Sequence, residues 1–137
     1  MATSFANTPS RRPFESFNGS GQYVTIRQAT TALHVKITAP SVGQHEAPII
    51  SNEIFERLAR APGRCQWLAL DLSDVSVVSS MGLALCLNVR SSAKERGMDT
   101  ALYGMNAHLR GLFQMMKVER LYKLVHSKDD LRRLIEG

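Results

Sequence analysis

The stretch Asp71–Gly97, DLSDVSVVSSMGLALCLNVRSSAKERG, carries the residues with the most evident chemistry. An almost continuously apolar run, 66–72, ends around Asp71, a turn-prone connection covers 73–80, and Ser79 and Ser80 stand ahead of Gly82 and an apolar helical pattern. One of these serines occupies the position of a helix N-cap, with unpaired backbone N–H groups behind it. The same end of a helix stabilises negative charge. A phosphate on Ser80 would add about −1.5 to −2 charge at neutral pH. It would meet the positive end of the helix dipole and several amide donors, so the fold need not change. A bulky dianion inside a contact surface would nevertheless repel an apolar or acidic partner. Met81, ahead of the helix, is a contact candidate because methionine suits adaptable surfaces; Leu83 belongs to the core. Asp71 looks like a catalytic acid, but at a strand end before a polar turn it is expected to hydrogen-bond the loop backbone.

No second reactive centre accompanies these serines. His34, His45, His108 and His126 lie away from the motif in sequence, and none is three or four residues from another His or Cys, so neither a zinc site nor a Ser–His–Asp arrangement is expected. Cys65 and Cys86 are too few for a disulfide framework and are read as reduced thiols in a cytoplasmic protein, Cys86 in the core. Phosphate-loop glycines are missing. The expectation is a protein that is not an enzyme and needs no cofactor or metal.

The chain has 137 residues, 44% hydrophobic and 21% charged, which suits one globular domain. Its net charge of +5 raises the question of a polyanion partner. The excess is +1 in residues 1–21, +1 in 22–106 and +3 in 107–137. Arg110, Lys117, Arg120 and Lys123 are read as a solvated face rather than a nucleic-acid surface, because aromatic interleaving is missing. No apolar run reaches the ~20 residues of a membrane helix, and Met1–Asn7 lacks a signal pattern.

Residues 1–21, rich in Ser, Thr, Asn, Gly and Pro, read as a flexible leader in which Phe5, Phe14 and Phe17 could dock on the body or on a partner. Residues 22–137 form the domain. Alternation over 23–27 and 33–37 predicts two half-buried strands in a hairpin. Residues 39–48 read as a loop. Ile50, Ile54, Phe55 and Leu58 mark a helix stopped by Ala61-Pro62-Gly63. After the 66–72 strand and the Ser80 helix, 100–103 is a strand. Leu109, Leu112, Phe113 and Met116 mark a helix, 121–125 a last strand, and Ser127 with Asp130 a capping box for a final helix. Strands alternating with helices predict an α/β single domain, with a mixed, mostly parallel sheet of about five strands, about four helices and an N-terminal β-hairpin.

Residues 66–135 resemble a STAS domain, the fold of bacterial anti-sigma-factor antagonists and of the soluble tails of sulfate transporters. The family follows a buried strand ending in Asp-Leu with a short loop and Asp-Ser-Ser-Gly-Leu; here the matching residues are Asp71-Leu72 and Ser79-Ser80-Met81-Gly82-Leu83. Lys94-Glu95-Arg96-Gly97, Ala101-Leu102-Tyr103-Gly104 and Val118-Glu119-Arg120-Leu121-Tyr122 continue the likeness, and the order of elements matches along about 110 residues. The resemblance implies a cytoplasmic signalling phosphoprotein of transcription regulation. Its phosphoacceptor is Ser80, and its partner is a kinase-fold anti-sigma factor contacted through Ser79, Ser80, Met81, Gly82 and Asn106. The chain has Ser79 in place of the acidic residue and Met81 in place of the second serine. An alternative therefore stands: a constitutive STAS accessory subunit of an ABC-type lipid-transport complex, bound to its ATPase without phosphorylation. Lys117 stands where the family often has Gly after a helix; a left-handed conformation would cost Lys about 1 kcal/mol there, so a locally different helix end is expected.

Overall fold

Period-two alternation sorts the strand residues onto two faces, and the computed structural model, which describes residues 18–136, shows what covers each. The strands are β1 Asn18–Ser20, β2 Val24–Gln28, β3 Ala32–Ile37, β4 Ser41–Val42, β5 Trp67–Asp71, β6 Val77–Val78, β7 Asp99–Tyr103 and β8 Lys123–Val125. The helices are α1 Glu46–Ala59, α2 Ser80–Glu95, α3 Ala107–Met115 and α4 Lys128–Glu136. Six strands form one sheet in the order β1-β2-β3-β5-β7-β8. β1, β2 and β3 pair antiparallel, and β3, β5, β7 and β8 run parallel.

Val24, Ile26, Leu33, Val35, Leu68, Leu70 and Leu102 share a core with the apolar stripes of α1, α2 and α3, including Ile50, Ile54, Val89, Leu109 and Phe113. On the other face, Leu131 and Ile135 of α4 cover Ala69, Ala101 and Val125. β5 is sandwiched between these layers, which is why its sequence is apolar on both faces. Ser127 caps α4, its Oγ accepting from the Asp130 amide at 3.0 Å. Among the described residues no helix is long and apolar enough to cross a membrane.

The fold is the α/β architecture expected, with all five sequence-read strands, four helices and the hairpin in place. Four local readings differ. Asn18–Ser20, placed in the leader by composition, form the edge strand β1 against β2; residues 1–17, with Phe5, Phe14 and Phe17, lie outside the described residues. α1 begins at Glu46, ahead of Pro48, because proline is tolerated in a first turn whose N–H groups have no intrahelical partner. The 73–80 connection contains β6, which pairs in parallel with β4. The last strand starts at Lys123, because Glu119–Leu121 form a 3-10 turn.

The end of α3 also corrects an expectation. Lys117 does take the left-handed conformation, with φ 60°. The Lys117 amide donates to the Gln114 carbonyl at 3.0 Å and the Val118 amide to the Phe113 carbonyl at 3.1 Å. These two bonds close a Schellman motif, whose geometry demands the positive φ whatever residue stands there. Replacing Lys117 by Gly is expected to raise stability by about 0.5–1 kcal/mol, the left-handed strain relieved less the extra chain entropy of glycine. Urea unfolding checks this: the midpoint should rise at constant slope, and a lower midpoint would show the lysine unstrained.

Candidate functional site

Ser79 has extended backbone, φ −85° and ψ −178°, and is the N-cap of α2. Its Oγ accepts from the amides of Met81 at 3.1 Å and Gly82 at 3.3 Å. The hydroxyl itself lies 3.4 Å from the Val42 carbonyl, to which it donates, and the Ser79 amide donates to the same oxygen at 3.0 Å. β4 thus holds the head of α2 directly. A Cβ on Gly82 would come within 2.6 Å of the Val42 carbonyl oxygen and 2.9 Å of Val78 Cβ, so only glycine permits this approach.

Beside the cap, the Gly43 amide donates to Glu46 Oε1 at 2.9 Å. That bond, with the one from its own backbone, holds the Glu46 carboxyl below the usual range. A Cβ on Gly43 would lie 3.5 Å from Glu46 Oε1 and 4.0 Å from Ser79 Oγ. Gly43 thus stands between the Glu46 carboxylate at the start of α1 and the Ser79 hydroxyl. Ser80 is exposed and its hydroxyl has no partner among the described residues. Val77 and Met81, each 45% exposed, put apolar surface beside it.

The structure brings all five expected contact residues to one end of the sheet. Ser79, Ser80, Met81 and Gly82 make up the head of α2, with Gly82 buried as a spacer rather than presented. Asn106 caps α3, its Oδ1 accepting from the Leu109 amide at 2.8 Å, while its Nδ2 donates to the Ser76 carbonyl at 3.0 Å. It tethers the loop. The helix end offers a phosphate on Ser80 less than expected, because the Met81 and Gly82 amides already serve Ser79. The Ser80 amide and the dipole remain.

Asp71 does hydrogen-bond the loop, and more. Its Oδ1 accepts from the Ser73 amide at 3.0 Å and the Ser73 hydroxyl at 2.6 Å, while Oδ2 lies 2.9 Å from His34 Nε2. Burial pushes the carboxyl up, but the hydrogen bonds from His34 and Ser73 outweigh it and hold Asp71 below its ordinary value. An ionised carboxylate only accepts, so His34 Nε2 carries the proton. The carboxylate stands between histidine and serine, so His34 does not activate Ser73 as the base of a triad would. Gly104, with φ 83°, packs on Ser73 so closely that a Cβ would meet its backbone at 2.8 Å. Cys86 is buried, its thiol pushed up to about 12 by that burial, and is inert as a nucleophile at neutral pH.

Sequence reasoning missed Glu46, Val77 and the His34–Asp71 pair. Glu46 had a signal, since a Glu three residues after Gly43 fits a capping pattern. His34 and Asp71 are 37 residues apart and meet only through the parallel register that sets Lys36 opposite Asp71.

The STAS domain family model matches residues 24–131. No curated protein matches the chain in sequence. Among solved structures it is similar to an anti-sigma-factor antagonist (STAS) domain protein from Planctomyces limnophilus, with a TM-score of 0.71 and 13% identity over 81% of this chain and 97% of that one. The phosphorylated form of the Bacillus cell fate determinant SpoIIAA gives 0.62 and 14% over 81% and 98%. The murine anion transporter Slc26a9 gives 0.66 and 16%, over 76% of this chain and 17% of the transporter. At these identities the likeness is one of fold.

Two measurements test this geometry. Ser79→Ala should cost about 1 kcal/mol through the lost cap, read as a lower urea midpoint, whereas Ser80→Ala should leave the midpoint in place; equal effects would contradict the division between the two serines. Asp71 has a lowered folded-state pKa, so its contribution is fully present above the unfolded value near pH 4 and is lost as pH falls through the folded value. Asp71→Asn should therefore cost about 1–3 kcal/mol at pH 7, and its melting curve should converge on that of the unchanged protein as pH falls through the lowered folded value. A gap independent of pH would rule out the ionised carboxylate as the stabilising form.

Proposed function

The chain belongs to the STAS domain family, and from that premise we propose that it is a regulatory protein-binding module of the anti-sigma-factor-antagonist kind. The head of α2 docks a kinase-fold serine kinase that is also an anti-sigma factor, and phosphate on Ser80 releases it. The observation that carries this reading is the division of labour between adjacent serines. Ser79 is consumed by the cap, while Ser80 presents a free hydroxyl on the exposed side. A group added to Ser80 leaves the cap intact and places a dianion beside the exposed Val77 and Met81. An apolar or acidic contact would be lost while the fold stays in place. The module works by binding, needs no catalysis of its own, and belongs in the cytoplasm with its partner kinase.

Met81 favours a second reading. A methionine 45% exposed at the centre of the surface is a permanent apolar contact, as a constitutive STAS subunit of an ABC-type lipid-transport complex would use. That reading needs no phosphate.

Pull-downs with Ser80→Ala and Ser80→Asp chains from a lysate of the source cells separate the two. The alanine form should retain a serine kinase of the anti-sigma type, and the aspartate form should recover it about tenfold less, as a loss of about 1.4 kcal/mol implies. Equal recovery by both would sink the switch, and an ATPase recovered equally, with no phosphate on Ser80 by mass spectrometry, would establish the subunit.

A further inference from the structure

Parity in the sheet places Arg27 and His34 on the face that carries α4, because they are register partners across β2 and β3 and lie out of phase with the core residues Ile26 and Val35. α4 packs on β3, β5 and β8, and between its start, its last turn and strands β2 and β3 lies a cleft of about 140 Å³. The floor is apolar: Leu131 and Ile135, both buried. The walls are cationic, with exposed Arg27, Lys128 and Arg132 around the floor. Glu136 is the carboxylate of the lining. Asp129 lies 3.4 Å from one Arg132 nitrogen, but the guanidinium has five N–H donors and keeps the rest for another acceptor. His34 also lines the cleft, with Nε2 committed to Asp71.

Of the lining side chains three are cationic and one, Glu136, is a carboxylate, over an apolar floor; Asp129 and Asp71 stand just outside the lining, against Arg132 and His34. We propose that this cleft binds a small organic anion, a carboxylate or phosphate monoester with a ring-sized apolar body. Arg27, Lys128 and Arg132 hold the acidic head, since guanidinium and ammonium donors make the stronger charge-assisted hydrogen bonds. Leu131 and Ile135 take the body; a cavity of about 150 Å³ accommodates a benzene-sized molecule. The site is separate from the head of α2 and does not depend on what docks there. Through His34 its wall is nevertheless joined to Asp71, and through Asp71 to Ser73, at the start of the loop that delivers Ser80.

The test is titration of the full chain, followed by amide chemical shifts, with benzoate, phenyl phosphate, inorganic phosphate and benzylamine. Benzoate and phenyl phosphate should give saturable shifts at Arg27, His34, Lys128 and Arg132. Inorganic phosphate, lacking the body, should bind about tenfold more weakly, and benzylamine should not bind. The double variant Arg27→Ala, Lys128→Ala should weaken benzoate about tenfold with the melting temperature unchanged. Glu136→Gln, which removes the opposing charge, should tighten it. Non-saturable shifts with both aromatic anions would overturn the proposal, as would binding of benzylamine or undiminished affinity in the double variant.

Discussion

One carbonyl oxygen, that of Val42, decides where the exposed surface of this protein can form. It accepts the Ser79 amide at 3.0 Å and lies 3.4 Å from the Ser79 hydroxyl. It also sits where a Cβ on Gly82 would approach within 2.6 Å. The start of α2 is thus pressed against β4 by main-chain contacts that do not involve the side chains of Ser80 or Met81. Those two positions can change charge or size without moving the helix. A surface built this way can be altered chemically while the scaffold beneath it stays still.

A second anchor holds the loop from below. Asp71 is 4% exposed, and burying a carboxylate is costly unless hydrogen bonds satisfy it. His34 and Ser73 supply three, enough to leave the carboxyl more acidic than usual. Gly104 closes over Ser73 from β7, and Asn106 ties the Ser76 carbonyl to the head of α3. Hydrogen bonds to charged groups contribute about 1.5–3 kcal/mol each, a sizeable share of the ~5–15 kcal/mol that keeps a domain folded. Between Asp71 and Ser80 the chain is therefore fixed at both ends and in the middle, and the conformation that presents Ser80 exists before any partner arrives.

The layers were legible because periodicity and burial share a cause. Leu33, Val35 and Ile37 alternate with His34 and Lys36 because β3 faces a core on one side, and Trp67–Leu70 is continuously apolar because β5 is covered on both. A serine cap was legible from the Ser79-Ser80 pair ahead of an apolar helix, but which of the two serves it depends on β4, whose Val42 carbonyl holds Ser79. What escaped depends on register between distant segments. β4 and β6 are two residues each, too short to show a period, yet their pairing places Val42 under Ser79. Glu46 bonds the Gly43 amide, one residue past the Val42 carbonyl that holds Ser79, so its place depends on that same pairing. Lys117 hid a left-handed turn because the motif constrains the backbone and leaves the residue type free. β1 escaped because a three-residue edge strand of Asn, Gly and Ser has the composition of a loop.

Charge follows the same logic. The basic excess that first suggested a polyanion is spread over several elements, and three of its residues, Arg27, Lys128 and Arg132, line the cleft beside α4. The surface around Ser80 carries the exposed apolar side chains of Val77 and Met81. The most direct test of the central claim is the amide spectrum and melting temperature of the chain bearing phosphoserine at position 80. Shifts confined to residues near 76–83, Gly43 and Glu46 are expected, with the melting temperature held. Shifts spread through the sheet, or a fall of more than about 4 °C, roughly the loss of 1 kcal/mol at this size, would contradict a surface that changes charge without changing the fold.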